Sequence, residues 1–99
     1  MAAALAETLL DAALALFLSR NIEITPECHE RLRAFAETGA RALAEHSAGK
    51  DEIRKAEVRI VDFAMRMTDE ALYANEAVLS EQTFLAAREF FCPGLRPFC

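Results

Sequence analysis

The sequence predicts an all-α fold, and three observations carry that expectation. Apolar residues recur at helical spacing on both sides of the break Ala48-Gly49-Lys50: Cys28, Leu32, Phe35, Gly39, Ala42 and His46 before it, then Ile53, Ala56, Ile60, Phe63, Met67, Ala71, Ala74 and Val78 after it. Steps of three and four residues return to one face of a helix, whereas a strand would need strict alternation. Thr25-Pro26 reads as a helix start, and alanine and leucine, both strong helix formers, dominate the composition. Stripes this narrow point to an antiparallel helical hairpin, about 26–47 and 51–79, with an N-terminal and a short C-terminal helix alongside and dimerisation completing the core.

Helix 1 is expected over about residues 3–19, with Leu5, Leu9 and Leu16 on one side and Leu10, Leu14 and Phe17 on another. Only a strip around Glu7 and Asp11 is polar, so the helix needs cover on two sides, which the hairpin and a second subunit would supply. Asn21 suits a left-handed stop. Ile22 to Ile24 form a short extended link, after which Thr25, Pro26 and Glu27 take the N-cap, N1 and N2 positions of helix 2.

Helix 2 is expected from Pro26 to Ser47, stopped by Gly49, with Glu27/Arg31, Arg33/Glu37, Glu37/Arg41 and Arg41/Glu45 pairs supporting its outer face. Gly39 costs about 1 kcal/mol relative to Ala inside a helix, so its place on the stripe implies another helix crossing close by. Helix 3 begins near Asp51, where acidic residues suit the positive end of the dipole. Thr68-Asp69-Glu70 offers a second start, but the stripe runs on to Val78 and predicts one helix to about Leu79. Ser80 then caps helix 4, Glu81 to Phe91, which Pro93-Gly94 ends.

A single domain over 1–99 is expected, with an apolar tail at 92–99. A chain of this size removes only roughly 60–65% of its unfolded surface from water. Yet 54% of its residues are hydrophobic and 27% charged, and the surplus apolar surface is most simply used at an interface. The formal charge of -5 opposes binding to nucleic acid or to an anionic membrane. Arg54, Lys55, Arg59 and Arg66 alternate with Glu52, Glu57 and Asp62, the pattern of a solvated face, and Asp69, Glu70, Glu76 and Glu81 form an acidic stretch. No Lys or Arg precedes the apolar run Ala2 to Leu18, Glu7 and Asp11 interrupt it, and Arg20 follows. Neither a targeting segment nor a membrane span is therefore expected, and three cysteines without a close pair fit a reducing cytoplasm.

No constellation announces a chemistry, so no enzyme activity, cofactor or metal is expected. The only histidines, His29 and His46, lie on one helix about 25 Å apart. His46 falls on the apolar stripe and reads as partly buried. No Glu stands three residues before either, as a bundle-type carboxylate metal site requires. Cys28, His29, Cys92 and Cys99 lack the spacing of a closed zinc site, although Cys92 and Cys99 could pair under oxidising conditions. Helices 2 and 3 are too long for a recognition helix-turn-helix, and the three glycines form no phosphate loop.

What remains is action on another protein's surface. Phe84, Leu85, Phe90, Phe91, Leu95 and Phe98 are the expected partner-binding anchors, and Leu32, Phe35, Ile60 and Phe63 the expected homodimer positions. Met65, with Phe84, is read as part of a second, more exposed surface. In size, acidity and helicity the chain resembles small helical bacterial inhibitors of transcription factors, such as quorum-sensing anti-activators. That resemblance implies a cytoplasmic module that masks a transcription factor. The alternatives are a small-molecule or metal-sensing helical module and a DNA-binding regulator.

Overall fold

Four helices form where the apolar spacing is three and four: α1 (Ala2–Ser19), α2 (Pro26–Glu45), α3 (Lys50–Tyr73) and α4 (Glu81–Phe91). Two short strands join them, β1 (Glu23–Ile24) between α1 and α2 and β2 (Val78–Leu79) between α3 and α4. The architecture comes from a computed structural model that describes residues 2–46, 49–75 and 77–92, apart from the side chains of Ala2 and Phe91.

The two connectors share one plan. At the end of α1, Asn21 turns left-handed at φ 56°, its N–H donating to the Leu18 carbonyl, while the Ile22 N–H reaches back to the Phe17 carbonyl. This is a Schellman closure, and the buried Ile22 and Phe17 supply its hydrophobic contact. At the end of α3, Asn75 does the same at φ 57°, donating to the Leu72 carbonyl. Asparagine tolerates this conformation better than other side-chain-bearing residues. Each connector then runs extended for two residues and meets a hydroxyl N-cap. Thr25 accepts from the Cys28 N–H and Ser80 from the Thr83 N–H, both at 3.2 Å. The extended pieces pair in parallel, Glu23 opposite Val78 and Ile24 opposite Leu79, with the Glu23 N–H bound to the Ala77 carbonyl at 3.0 Å.

That plan corrects the expected reach of helix 3. The helix passes through Thr68-Asp69-Glu70 without a break but ends at Tyr73, not near Leu79. Its stripe is buried only as far as Ala71; Ala74 and Val78 are exposed. Leu79, fully buried, reaches the core from β2, so an apolar residue in phase with a helix arrives by another route. Helix 2 stops at Glu45, and its capping residue His46 is exposed, not partly buried.

α1 finds cover on two sides within the chain, packing along both α2 and α3. Its Leu9, Leu10, Ala13 and Phe17 meet Leu32, Ala36, Ala40, Ile60, Ala64 and Met67 in one continuous core. Where α2, α3 and α4 converge, Phe63 stacks on Phe35 at 5.2 Å between ring centroids and takes Phe84 edge-on at 6.2 Å. Gly39 is buried on the α2 stripe.

Phe63→Ala is expected to cost about 3–5 kcal/mol, because it empties a fully enclosed ring site and strips two aromatic partners at once. Leu85→Ala, on an exposed flank, should stay within about 0.5 kcal/mol, and urea denaturation of the two variants measures the contrast. Asn21→Ala and Asn75→Ala should each lose about 1–2 kcal/mol, whereas Gly at either position should cost little, since glycine enters the left-handed region freely. Thermal melts of the four variants check the pattern.

Candidate functional site

The expected site residues divide sharply. Leu32, Phe35, Ile60 and Phe63 are enclosed by their own chain, with exposures of 0%, 6%, 0% and 0%. They build the core of one subunit, and a contact with a second copy must use other residues. Phe84 is likewise a core residue, 1% exposed and edge-on to Phe63, so it offers nothing to a partner and does not share a surface with Met65, which is exposed. Leu85 and Phe90 do face solvent. Five positions apart on α4, they project about 140° from each other and belong to separate flanks. The side chain of Phe91, with Leu95 and Phe98, lies outside the described residues.

Around Phe90 a distinct surface takes shape. Its ring is 68% exposed, and the Arg66 guanidinium stands over it at 5.0 Å from the centroid. Arg66 is also held by Glu70 one turn on, at 3.1 Å. Tyr73, seven residues beyond Arg66 and so on the same side of α3, is 90% exposed. Phe90 and Arg66 thus meet at the junction of α3 and α4, and Tyr73 stands about 10 Å further along that side of α3, residue types that dominate binding hot spots. The sequence places Arg66 in a mixed-charge run, and Tyr73 carries no signal of its own there. Their seven-residue spacing is the one sequence signal that would set them on one side of a helix.

Three tethers hold this region to the rest of the fold. Arg31 of α2 pairs with Glu81 at the first turn of α4. Arg20, just past α1, pairs with Asp69 and donates to the Thr68 hydroxyl at 2.9 Å. Thr68 is fully buried, and its hydroxyl in turn donates to the Met65 carbonyl at 2.9 Å, so the one buried polar side chain among the described residues is satisfied twice. The Cys28 thiol, buried and free, points at the Leu79 carbonyl at 3.8 Å and ties α2 to β2.

A second concavity lies where α2 ends and α3 begins. It encloses about 360 Å³ between Ala42, Leu43 and Ala56 as an apolar floor and His46, Glu52, Lys55 and Arg59 as a charged rim. Lys55 and Arg59 continue into a shallower cleft with Asp51, Arg54 and Val58. Such a rim can hold an anion over a small apolar body, and among its described lining residues there is no Ser, Thr or Cys. His29 sits far off beside Glu30, at 4.0 Å.

Among the described residues, no three His, Cys, Asp or Glu side chains come together as metal ligands. Cys92 is disulfide-bonded, a pairing the sequence left open, whereas Cys28 is free. Among the described residues no helix is long and apolar enough to cross a membrane. Compared with known proteins, the chain matches no family model, no curated protein and no solved structure.

Proposed function

We propose that this chain is a non-enzymatic protein–protein interaction module, a bacterial regulatory inhibitor that binds and masks a transcription factor. The observation that carries the reading is the exposed Phe90–Arg66–Tyr73 surface at the junction of α3 and α4. Large aromatic side chains lose hydration entropy penalties when covered, and a guanidinium already stacked on a ring gives up little freedom on binding. The net charge of -5 would favour a basic face, the kind by which a regulator meets DNA phosphates, although Asp69, Glu70 and Glu81 are each already paired with an arginine of the chain. Masking would then work by occupancy: the partner's basic surface is covered while aromatic anchors supply affinity. α1, which packs along both α2 and α3, serves in this reading as the frame that holds the helices presenting this surface.

The concavity at the start of α3 favours a second reading, a helical module that senses a small anionic ligand between Lys55 and Arg59. It predicts a stoichiometric small molecule retained through purification, which native mass spectrometry detects.

The test of the masking reading uses immobilised full-length chain and a bacterial lysate, followed by reconstitution with whatever is retained. A DNA-binding regulator should be recovered, and adding purified chain should dissolve that regulator's complex with its DNA. Phe90→Ser should weaken capture by about tenfold or more, equivalent to about 1.4 kcal/mol, without loss of helicity. Retention of no DNA-binding protein, or equal retention by Phe90→Ser, defeats the proposal.

A further inference from the structure

We propose that the concavity between the end of α2 and the start of α3 binds a small amphiphilic monocarboxylate, a carboxylate on a short hydrocarbon body. The proposal rests on the anion-sensing reading of the same concavity and adds the class of ligand. Two helix faces build the site. Ala42, Leu43 and His46 return to one face of α2 at steps of three and four. Glu52, Ala56 and Arg59 do the same on α3, with Lys55 at the edge of that face. The space of about 360 Å³ stays open because Ala42 and Ala56 put small side chains on its floor, where neighbouring core positions carry Leu, Ile, Phe and Met. Packed helices ordinarily close such a gap with larger side chains.

Floor and rim select different halves of the ligand. Leu43 and Ala56 are buried and Ala42 half-buried, and their side chains offer no hydrogen bond, so what lies on them is hydrocarbon. The exposed rim holds two cations, Lys55 and Arg59, and one carboxylate, Glu52, which leaves a single positive charge for a ligand to balance. A doubly charged phosphate or a nucleotide would set its second charge against Glu52. Among the described residues Lys55 has no ion pair, whereas Arg20, Arg31, Arg33 and Arg66 each hold a carboxylate of the chain. Arg59 already interacts within the chain, so Lys55 takes the ligand's charge and Arg59 adds its field from beside it. The surroundings share that sign. Four cations and three carboxylates occupy Lys50 to Arg59 in a chain whose net charge is -5. α3 also starts at Gly49 without a side-chain cap, so the positive end of its dipole is not offset by one. At about 30 Å³ per non-hydrogen atom, the space admits about a dozen such atoms, the size of a medium-chain fatty acid.

Titration of the full ¹⁵N-labelled chain with octanoate, followed by its amide resonances, tests the site. Shifts should saturate at Ala42, Leu43, Lys55 and Ala56 with a Kd of about 1 mM or tighter. Acetate, which lacks the apolar body, and octan-1-ol, which lacks the charge, should each bind about tenfold more weakly or worse. Lys55→Glu should weaken octanoate by about tenfold or more, and Arg88→Glu, the same charge change on exposed α4, should leave it unchanged. Ala42→Leu fills the floor from a half-buried position and should cost as much with helicity retained, so the test does not hang on one variant. Inorganic phosphate shifting the Lys55 and Arg59 amides where octanoate does not would overturn the monocarboxylate and leave the anion-sensing reading standing. Binding of neither overturns both. Octan-1-ol as tight as octanoate, or octanoate indifferent to Lys55→Glu, also overturns the proposal, because the charged rim then plays no part.

Discussion

Phe63 is the constraint on which the rest of this fold depends. A single ring on α3 stacks against Phe35 of α2 and receives the edge of Phe84 of α4, so three of the four helices are positioned by one side chain. Offset stacking and edge-on contact each satisfy the ring quadrupole, and together they set both separation and angle in a way that a branched aliphatic residue would not. α1 then needs no aromatic partner at that point. It lies along α2 and α3 and closes the core with Leu9, Leu10, Ala13 and Phe17, its small residues permitting close approach where its large ones fill gaps.

Fixing α4 through Phe84 has a functional corollary. Because one face of α4 is committed to the core, Phe90 is carried to the surface on a rigid element and not on a loop. Arg66 and Tyr73 belong to α3, so their spacing from Phe90 is set by the packing of two helices. A docking surface built this way presents its anchors already ordered, and binding then costs less side-chain and backbone freedom.

Much of the scaffold was legible in the sequence because its determinants are local. Thr25 and Ser80 cap helices through their own hydroxyls, Asn21 stops α1 through its own backbone, and the stripes on α2 and α3 mark their buried sides. The end of α3 was not legible. Ala74 and Val78 continue the helical phase by coincidence, and the decisive event is the left-handed turn at Asn75 followed by pairing with a strand more than fifty positions earlier, a non-local contact that periodicity cannot report. The candidate surfaces were read less well. An apolar stripe gives the same signal whether it meets its own chain or another, which is why Leu32, Phe35, Ile60 and Phe63 pointed toward a mate while lying inside one subunit. The outward residues form no apolar stripe: Arg66 stands in the mixed-charge run and Tyr73 within the acidic stretch.

The parallel bridge between the two connectors is only two residues long, yet the bonds gathered around it span 48, 49 and 51 positions of the chain. Closing loops of that length is entropically slow to repay, and the cost grows only as the logarithm of length. The helices on either side can form from local contacts before any such closure. Two helical halves, α1–β1–α2 and α3–β2–α4, are joined both by α1 packing along α3 and by the bridge at Glu23 and Val78. The backbone amide of Glu23, bound to the Ala77 carbonyl across this joint, is then a reporter of how firmly the two halves are held at the connectors.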